Sequence, residues 1–222
     1  MKNRSILSEN DSLADTISNL HAGEVIVIGS CPGMGKTFLA LTMAAYMVLD
    51  KNKSIAFVSL ESAKDVLLRR LAKIINSNVD DIQNPLFNII DTPYMTIQEL
   101  EQHIRLLQSE KKIEAVFIDY LGLLSAETNR AKEYAVMHEK LKTLAKELNI
   151  SIITILQIHR DKAHSYEIIP PEVLSDNVAL QSIDKIIFIT QQSDNKKKEL
   201  KVYSRLQDNA WISDNTQWTL PV

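Results

Sequence analysis

Cysteine occurs once in the 222 residues, at Cys31, so no internal disulfide can form and a reducing compartment is the expected setting. No apolar run approaches the ~18 to 20 residues that a membrane-spanning helix needs. The opening stretch "MKNRSILSENDSLADTISNL" has no continuous apolar core of the kind a secretory leader carries. A cytoplasmic protein without membrane contact is therefore the expectation. Positive charge is not in excess either: 25 Lys and Arg stand against 28 Asp and Glu, a net charge of −3. That argues against a domain coated in positive potential, and any nucleic-acid binding must be local or summed over several subunits. The histidines His21, His103, His138, His159 and His164 show no zinc-ligand spacing with Cys31. Repeats and low-complexity linkers are lacking as well. Glycine is scarce, and four of the five fall between Gly23 and Gly35.

What is present is an alternation. Short runs rich in Val, Ile and Phe at Glu24–Gly29, Ser54–Leu60, Leu86–Ile90, Ile113–Asp119 and Ser151–Gln157 read as buried strands. Helical patterns at Phe38–Leu49, Ala63–Ile75, Thr96–Glu110 and Lys132–Leu148 lie between and after them. Such alternation implies a parallel sheet flanked by helices. After Gln157 the rhythm changes to a polar stretch with a Pro pair, read as a long loop. Asp184–Thr190 and Leu200–Leu206 follow as strands parted by "QQSDNKKKE", a hairpin turn. Trp211 and Trp218 are assigned to a C-terminal strand packed on the sheet.

The clustered glycines sit in "GSCPGMGKT", Gly29 to Thr37, between the first strand and the first helix. A phosphate-binding loop needs glycines so that backbone N–H groups converge on the anion, then a helix N-terminus, a lysine and a hydroxyl for magnesium. Gly33 and Gly35 bend the loop, Lys36 supplies the charge and Thr37 opens the helix. The candidate nucleotide contacts are Ser30, Cys31, Pro32, Gly33, Met34, Gly35, Lys36, Thr37 and Phe38. Ser30 occupies the position of the consensus first glycine, one residue after Gly29.

Two carboxylates fit partner roles. Asp119 ends "IEAVFID", which delivers it to the C-terminal edge of the sheet, where ligands bind in such folds. There it suits a place just outside the inner ligands of a magnesium ion beside Thr37. Glu61 ends "SIAFVSLE" and is a candidate to orient or deprotonate the water that attacks a γ-phosphate. The plain alternative for each is a helix cap. Gln157 ends the last strand of the first set, where its amide could hydrogen-bond the γ-phosphate.

From Leu20 to Arg205 these residues resemble the C-terminal ATPase domain of DnaB-type replicative helicases, within the RecA-like class. "NLHAGEVIVIGSCPGMGKT" is similar to the family's entry to its phosphate loop, and "FVSLES" to its Ser-Leu-Glu segment, which makes Glu61 the catalytic glutamate. "IDTPYMTIQEL" and "FIDYLGLL" follow in the family's order. "LKTLAKELNISIITILQIHR" places Gln157 at the sensor position. "KVYSRLQD" resembles the strand carrying the arginine finger, which assigns that role to Arg205, and the resemblance gives Arg70 a contact with the nucleotide base. Two departures stand out. Tyr203 occupies the place of the lysine common before the finger, and Leu174–Asp176 run straight into "NVALQSID" without the family's Arg-Glu-Ser-Gly segment.

The resemblance implies a RecA-like P-loop NTPase fold with a mostly parallel central sheet and antiparallel C-terminal strands, spanning residues 20–222 behind a short segment 1–19. It implies an ATP- and Mg2+-dependent DNA helicase or translocase working as a ring of its own copies, a hexamer being one candidate. Lys36, Glu61, Gln157 and Arg205 are its catalytic set, and Thr37 and Asp119 its metal ligands. Single-stranded DNA is the expected partner in the ring channel, touched by Arg130, Lys132, Arg160 and Lys162 from the loops after the Asp119 and Gln157 strands. Other replication proteins are further candidates. The alternative is a stand-alone ATP-dependent switch or adaptor of a replication complex that unwinds nothing.

Overall fold

The computed structural model describes residues 6–7, 12–79, 82, 84–121, 130–158, 180–191, 198–206 and 211–214. Eight strands form one sheet in the order β3-β2-β4-β5-β1-β6-β7-β8. They are β1 (Val25–Ser30), β2 (Ile55–Ser59), β3 (Phe87–Ile90), β4 (Ala115–Asp119), β5 (Ser151–Gln157), β6 (Lys185–Gln191), β7 (Lys198–Arg205) and β8 (Trp211–Asp214). The first six run parallel, and β6–β7 and β7–β8 pair antiparallel. The parallel sheet expected from the alternation, and the antiparallel C-terminal strands expected from the hairpin and the resemblance, are what the chain forms. Every residue of β1, β2 and β4 is buried, as strands covered on both faces require.

The helices are α1 (Ser12–Ser18), α2 (Lys36–Leu49), α3 (Lys64–Ile75), α4 (Ile97–Lys111) and α5 (Arg130–Leu148). Helix α2 is apolar on nearly all sides and buries ten consecutive residues from Leu39 to Val48. That marks it as the helix most enclosed by the fold, packed against β1, β2, β4 and α3. It shares a core with Phe57, whose ring stacks between Phe87 and Phe117 at centroid distances of 6.3 and 5.8 Å. Helix α4 starts where Thr96 predicts. The Thr96 side chain accepts from the Glu99 N–H, and the Glu99 carboxylate accepts from the Thr96 N–H. Those bonds hold the Glu99 carboxyl below its ordinary value.

Three features depart from the sequence expectations. Residues 12–18 form a helix whose Leu13, Ala14 and Ile17 enter the α2 core; seven residues are too few to show a periodicity. Helix α5 begins at Arg130, so Arg130 and Lys132 occupy its first turn rather than the loop before it. The strand carrying Trp211 is only four residues long, and Trp218 lies outside the described residues. None of the described helices is long and apolar enough to cross a membrane.

Candidate functional site

The parallel strands deliver their C-terminal ends to one edge. There β1 stops at Ser30, β2 at Ser59, β4 at Asp119 and β5 at Gln157. Register makes the neighbours: Ser30 lies opposite Gln157, and Ser59 opposite Asp119. A cavity of about 480 Å³ opens above this edge. Its lining includes Pro32, Gly33, Gly35, Lys36, Thr37 and Phe38 from the glycine-rich turn, with Glu61, Arg70, Asp119 and Gln157. Most of the candidate residues, drawn from five separate stretches of chain, are thereby brought to one place.

The turn is built as its glycines predict. Gly33 has φ +75° and Gly35 φ +99°, left-handed backbone that side chains with a Cβ rarely adopt, and a Cβ on Gly33 would meet nothing within 4 Å. Gly29 serves a different purpose: a Cβ there would stand 2.9 Å from Phe188 Cε1 and 3.3 Å from Ile158 Cδ1. It lets β6 and the end of β5 close on β1, and has no part in the cavity. Ser30, Cys31 and Met34 do not line the cavity either. Ser30 is fully buried, and Cys31 and Met34 anchor the turn in the α2 core.

Lys36 folds back over this turn. Its Nζ donates to Cys31 O at 3.0 Å, Ser30 O at 3.2 Å and Ser30 Oγ at 3.4 Å. Burial pushes the ammonium below its ordinary value, and the charges of Asp119, Cys31 and Glu61 act the other way. Asp119 is 2% exposed. Desolvation raises its carboxyl, as does the charge of Glu61, while a hydrogen bond from the Thr37 side chain and the charges of Arg70 and Lys36 lower it, with a net shift upward. Its Oδ2 is buried with no hydrogen-bond partner. An orphaned carboxylate oxygen beside a threonine hydroxyl is a donor set that fits a hard divalent cation.

Glu61 is exposed, lines the cavity and does not cap α3. The helix begins after Ala63, and the Lys64 N–H is taken by Asp91 Oδ2 at 2.9 Å. Arg70 lines the cavity, whereas its neighbour Arg69 does not. Arg205 is not brought to this site. Its N–H donates to Asp184 O at 2.8 Å, and Asp184 N donates to Val25 O at 2.9 Å, so Arg205 lies at the opposite edge, where β1 begins. Traversing β1 from one edge to the other is roughly 17 Å. The side chains of Arg130 and Lys132, and the whole of Arg160 and Lys162, lie outside the described residues. Three cavity residues escaped the sequence reading: Ser62, Tyr120 and Ile155. Ile155 had a signal, since it lies two residues before Gln157 and strand residues two apart share a face.

The fold and this edge define a class: an α/β domain of the RecA-like P-loop type. Solved structures share the fold, among them an ATPase domain at a TM-score of 0.70 and 21% identity, with 91% of this chain and 85% of that one covered. A "DnaB-Like Replicative Helicase", described with its interactions with primase, aligns at a TM-score of 0.67 and 22% identity, covering 87% and 56%. The chain belongs to the DnaB-like helicase C-terminal domain family, whose model matches residues 6–84 and 71–213. It is 30% identical over 213 residues to the replicative DNA helicase DnaB of Treponema pallidum, covering 83% of this chain and 48% of that protein. It thus spans about half the length of the curated relatives it matches.

Proposed function

We propose that this domain binds ATP with Mg2+ in the cavity above the glycine-rich turn and hydrolyses it as the motor of a DnaB-type helicase, in a ring of its own copies. The observation that carries the reading is Asp119, a 2% exposed carboxylate next to Thr37 whose Oδ2 has no partner. A folded domain tolerates such a group where a ligand completes it. Thr37 and Asp119 would hold the magnesium ion, which when bound offsets charge on the phosphate oxygens.

The chain's own groups supply the rest. Backbone N–H groups of the turn and the start of α2 bind the phosphates. Lys36, held now only by oxygens of the turn, transfers its ammonium to the β- and γ-phosphates. Glu61 accepts a proton from the water as its oxygen attacks the γ-phosphorus and ADP departs. Gln157 hydrogen-bonds the γ-phosphate from the end of β5, and Arg70 lies toward the base. Arg205 is a strand's length from its own cavity, so its charge serves the cavity of the neighbouring copy, stabilising the transferred phosphoryl group. Single-stranded DNA passes through the ring, and another replication protein is the partner to test, given that one structural neighbour was described with primase.

The test is ATPase rate with and without single-stranded DNA, measured alongside oligomer mass. A multimer with ATP, stimulation by DNA, and recovery of activity on mixing inactive Lys36→Ala with inactive Arg205→Ala chains are expected. A monomer whose ATPase ignores DNA would replace the motor with an ATP-dependent switch or adaptor.

A further inference from the structure

The segment "IDTPYMTIQEL" has no role in the chemistry above, although it belongs to the resemblance. Its Asp91 follows β3, an edge strand separated from β4 by β2. What it touches is the start of α3. The first N–H groups of a helix lack intrahelical acceptors and attract the nearest carboxylate, helped by the helix dipole. Ala63 at the cap position has no side-chain acceptor. Glu61, three residues before Lys64, is the nearest preceding carboxylate in the chain. Yet the Lys64 N–H goes to Asp91 Oδ2 at 2.9 Å, across 27 residues of sequence.

Ser59 holds the other end of the same turn. It is 1% exposed, and its hydroxyl donates to Ser62 O at 2.7 Å and accepts from Ser62 N at 3.0 Å. Leu60 N is fixed to Asp119 O at 2.7 Å. Residues 59 to 64 are thus pinned at three points, and the carboxylate between the pins is left facing the cavity. Among the described residues Glu61 has no hydrogen bond or ion pair.

We propose that Asp91, assisted by Ser59, is the positioning residue for Glu61: by capping α3 it occupies the N–H that would otherwise draw the Glu61 carboxylate out of the site. The proposal rests on Glu61 being the base. Without Asp91 the Glu61 carboxylate turns back to the helix start, where it is misplaced for water, while the phosphate loop is untouched.

The experiment compares D91A, D91N, E61Q and the E61Q/D91A double variant in the assembled protein. It measures kcat for ATP hydrolysis, and calorimetric affinity for a non-hydrolysable ATP analogue. D91A should lose about ten- to a hundredfold in kcat, a typical consequence of a misplaced reacting group, with analogue affinity within about twofold of the parent. D91N keeps an acceptor oxygen and should recover most of the rate, because Asn caps helices as well as Asp. The double variant should be no slower than E61Q. If D91A hydrolyses at the parental rate, or loses rate only in step with affinity, or if its loss adds in full to that of E61Q, the positioning role is overturned. If D91A gives no cooperative melting transition, S59A is held to the same three outcomes. Parental hydrolysis by E61Q would remove the base assignment first and this inference with it, which separates the two failures.

Discussion

The two edges of the sheet treat charge in opposite ways. At the edge where the parallel strands begin, Asp184 accepts from Lys142 Nζ at 2.6 and 2.8 Å and from the Val25 N–H at 2.7 Å, and lies 4.0 Å from Arg205. Lys142 also donates to Gly23 O at 2.8 Å, and Lys185 joins Glu24 Oε2 at 2.7 Å and Asn19 O at 2.6 Å. These side chains are 13 to 20% exposed, and each meets its partners within the chain. At the other edge Lys36 bonds only to loop oxygens, Glu61 bonds to nothing described, and Asp119 has a buried oxygen without a partner. Partly buried charges that satisfy one another act as a clamp. A buried carboxylate left partly unsatisfied, as Asp119 is, costs stability and is kept where a ligand completes it. The contrast separates a clamp, with Arg205 at its margin 4.0 Å from Asp184, from a set of charges that a ligand would complete.

Three substitutions distinguish the two edges, and the first carries the largest expected effect. Lys36→Ala removes the cation expected at the β- and γ-phosphates. ATP affinity should fall about tenfold or more by calorimetry, since charge-assisted bonds to phosphate are the strong ones. The melting temperature without nucleotide should change less than in Lys142→Met, because desolvation of the ammonium offsets its three bonds to uncharged loop oxygens. Unchanged ATP affinity would remove the cavity from the account.

Lys142→Met at the opposite edge should show the reverse. It deletes three hydrogen bonds and leaves Asp184 with the Val25 N–H and Arg205. Bonds to charged groups contribute about 1.5 to 3 kcal/mol, so stability should fall by about 2 kcal/mol. In a chain of this size that lowers Tm by about 4 to 8 °C. ATP affinity should stay within about twofold. A variant that melts like the parent would show that the clamp contributes nothing.

The contrast also explains what was legible in the sequence. Gly33, Gly35, Lys36 and Thr37 lie within one turn, so their spacing carried the chemistry proposed for them, and Asp119 and Gln157 were readable because each terminates an apolar strand. Arg70 was separable from Arg69 only in three dimensions, where one lines the cavity and the other does not. The clamp was invisible, because Lys142 and Asp184 lie on different elements and no local pattern announces the pairing. Asp91 was hidden for the same reason: it caps a helix from 27 residues away. Gly29, the glycine just before this turn, was given no role from the sequence, because its purpose, to admit the ring of Phe188, depends on a strand far along the chain. Helix α1 escaped because seven residues with three buried side chains give no readable period.

If the C-terminal edge sacrifices stability for a ligand, thermal melting of Asp119→Asn with and without ATP and Mg2+ will show it. The sign follows from the raised carboxyl. Its cost to the folded state sets in as pH rises above the ordinary Asp value of 3.8 and is complete above the folded value. Removing the charge should therefore leave the ligand-free protein melting at or above the parent at neutral pH, by about 2 to 4 °C for each kcal/mol gained. That advantage should vanish as pH falls toward 3.8. The additional stabilisation that Mg2+ gives to the ATP-bound parent should be absent in the variant. A variant that melts lower than the parent without ligand, yet keeps the full Mg2+-dependent shift with ATP, would contradict the account.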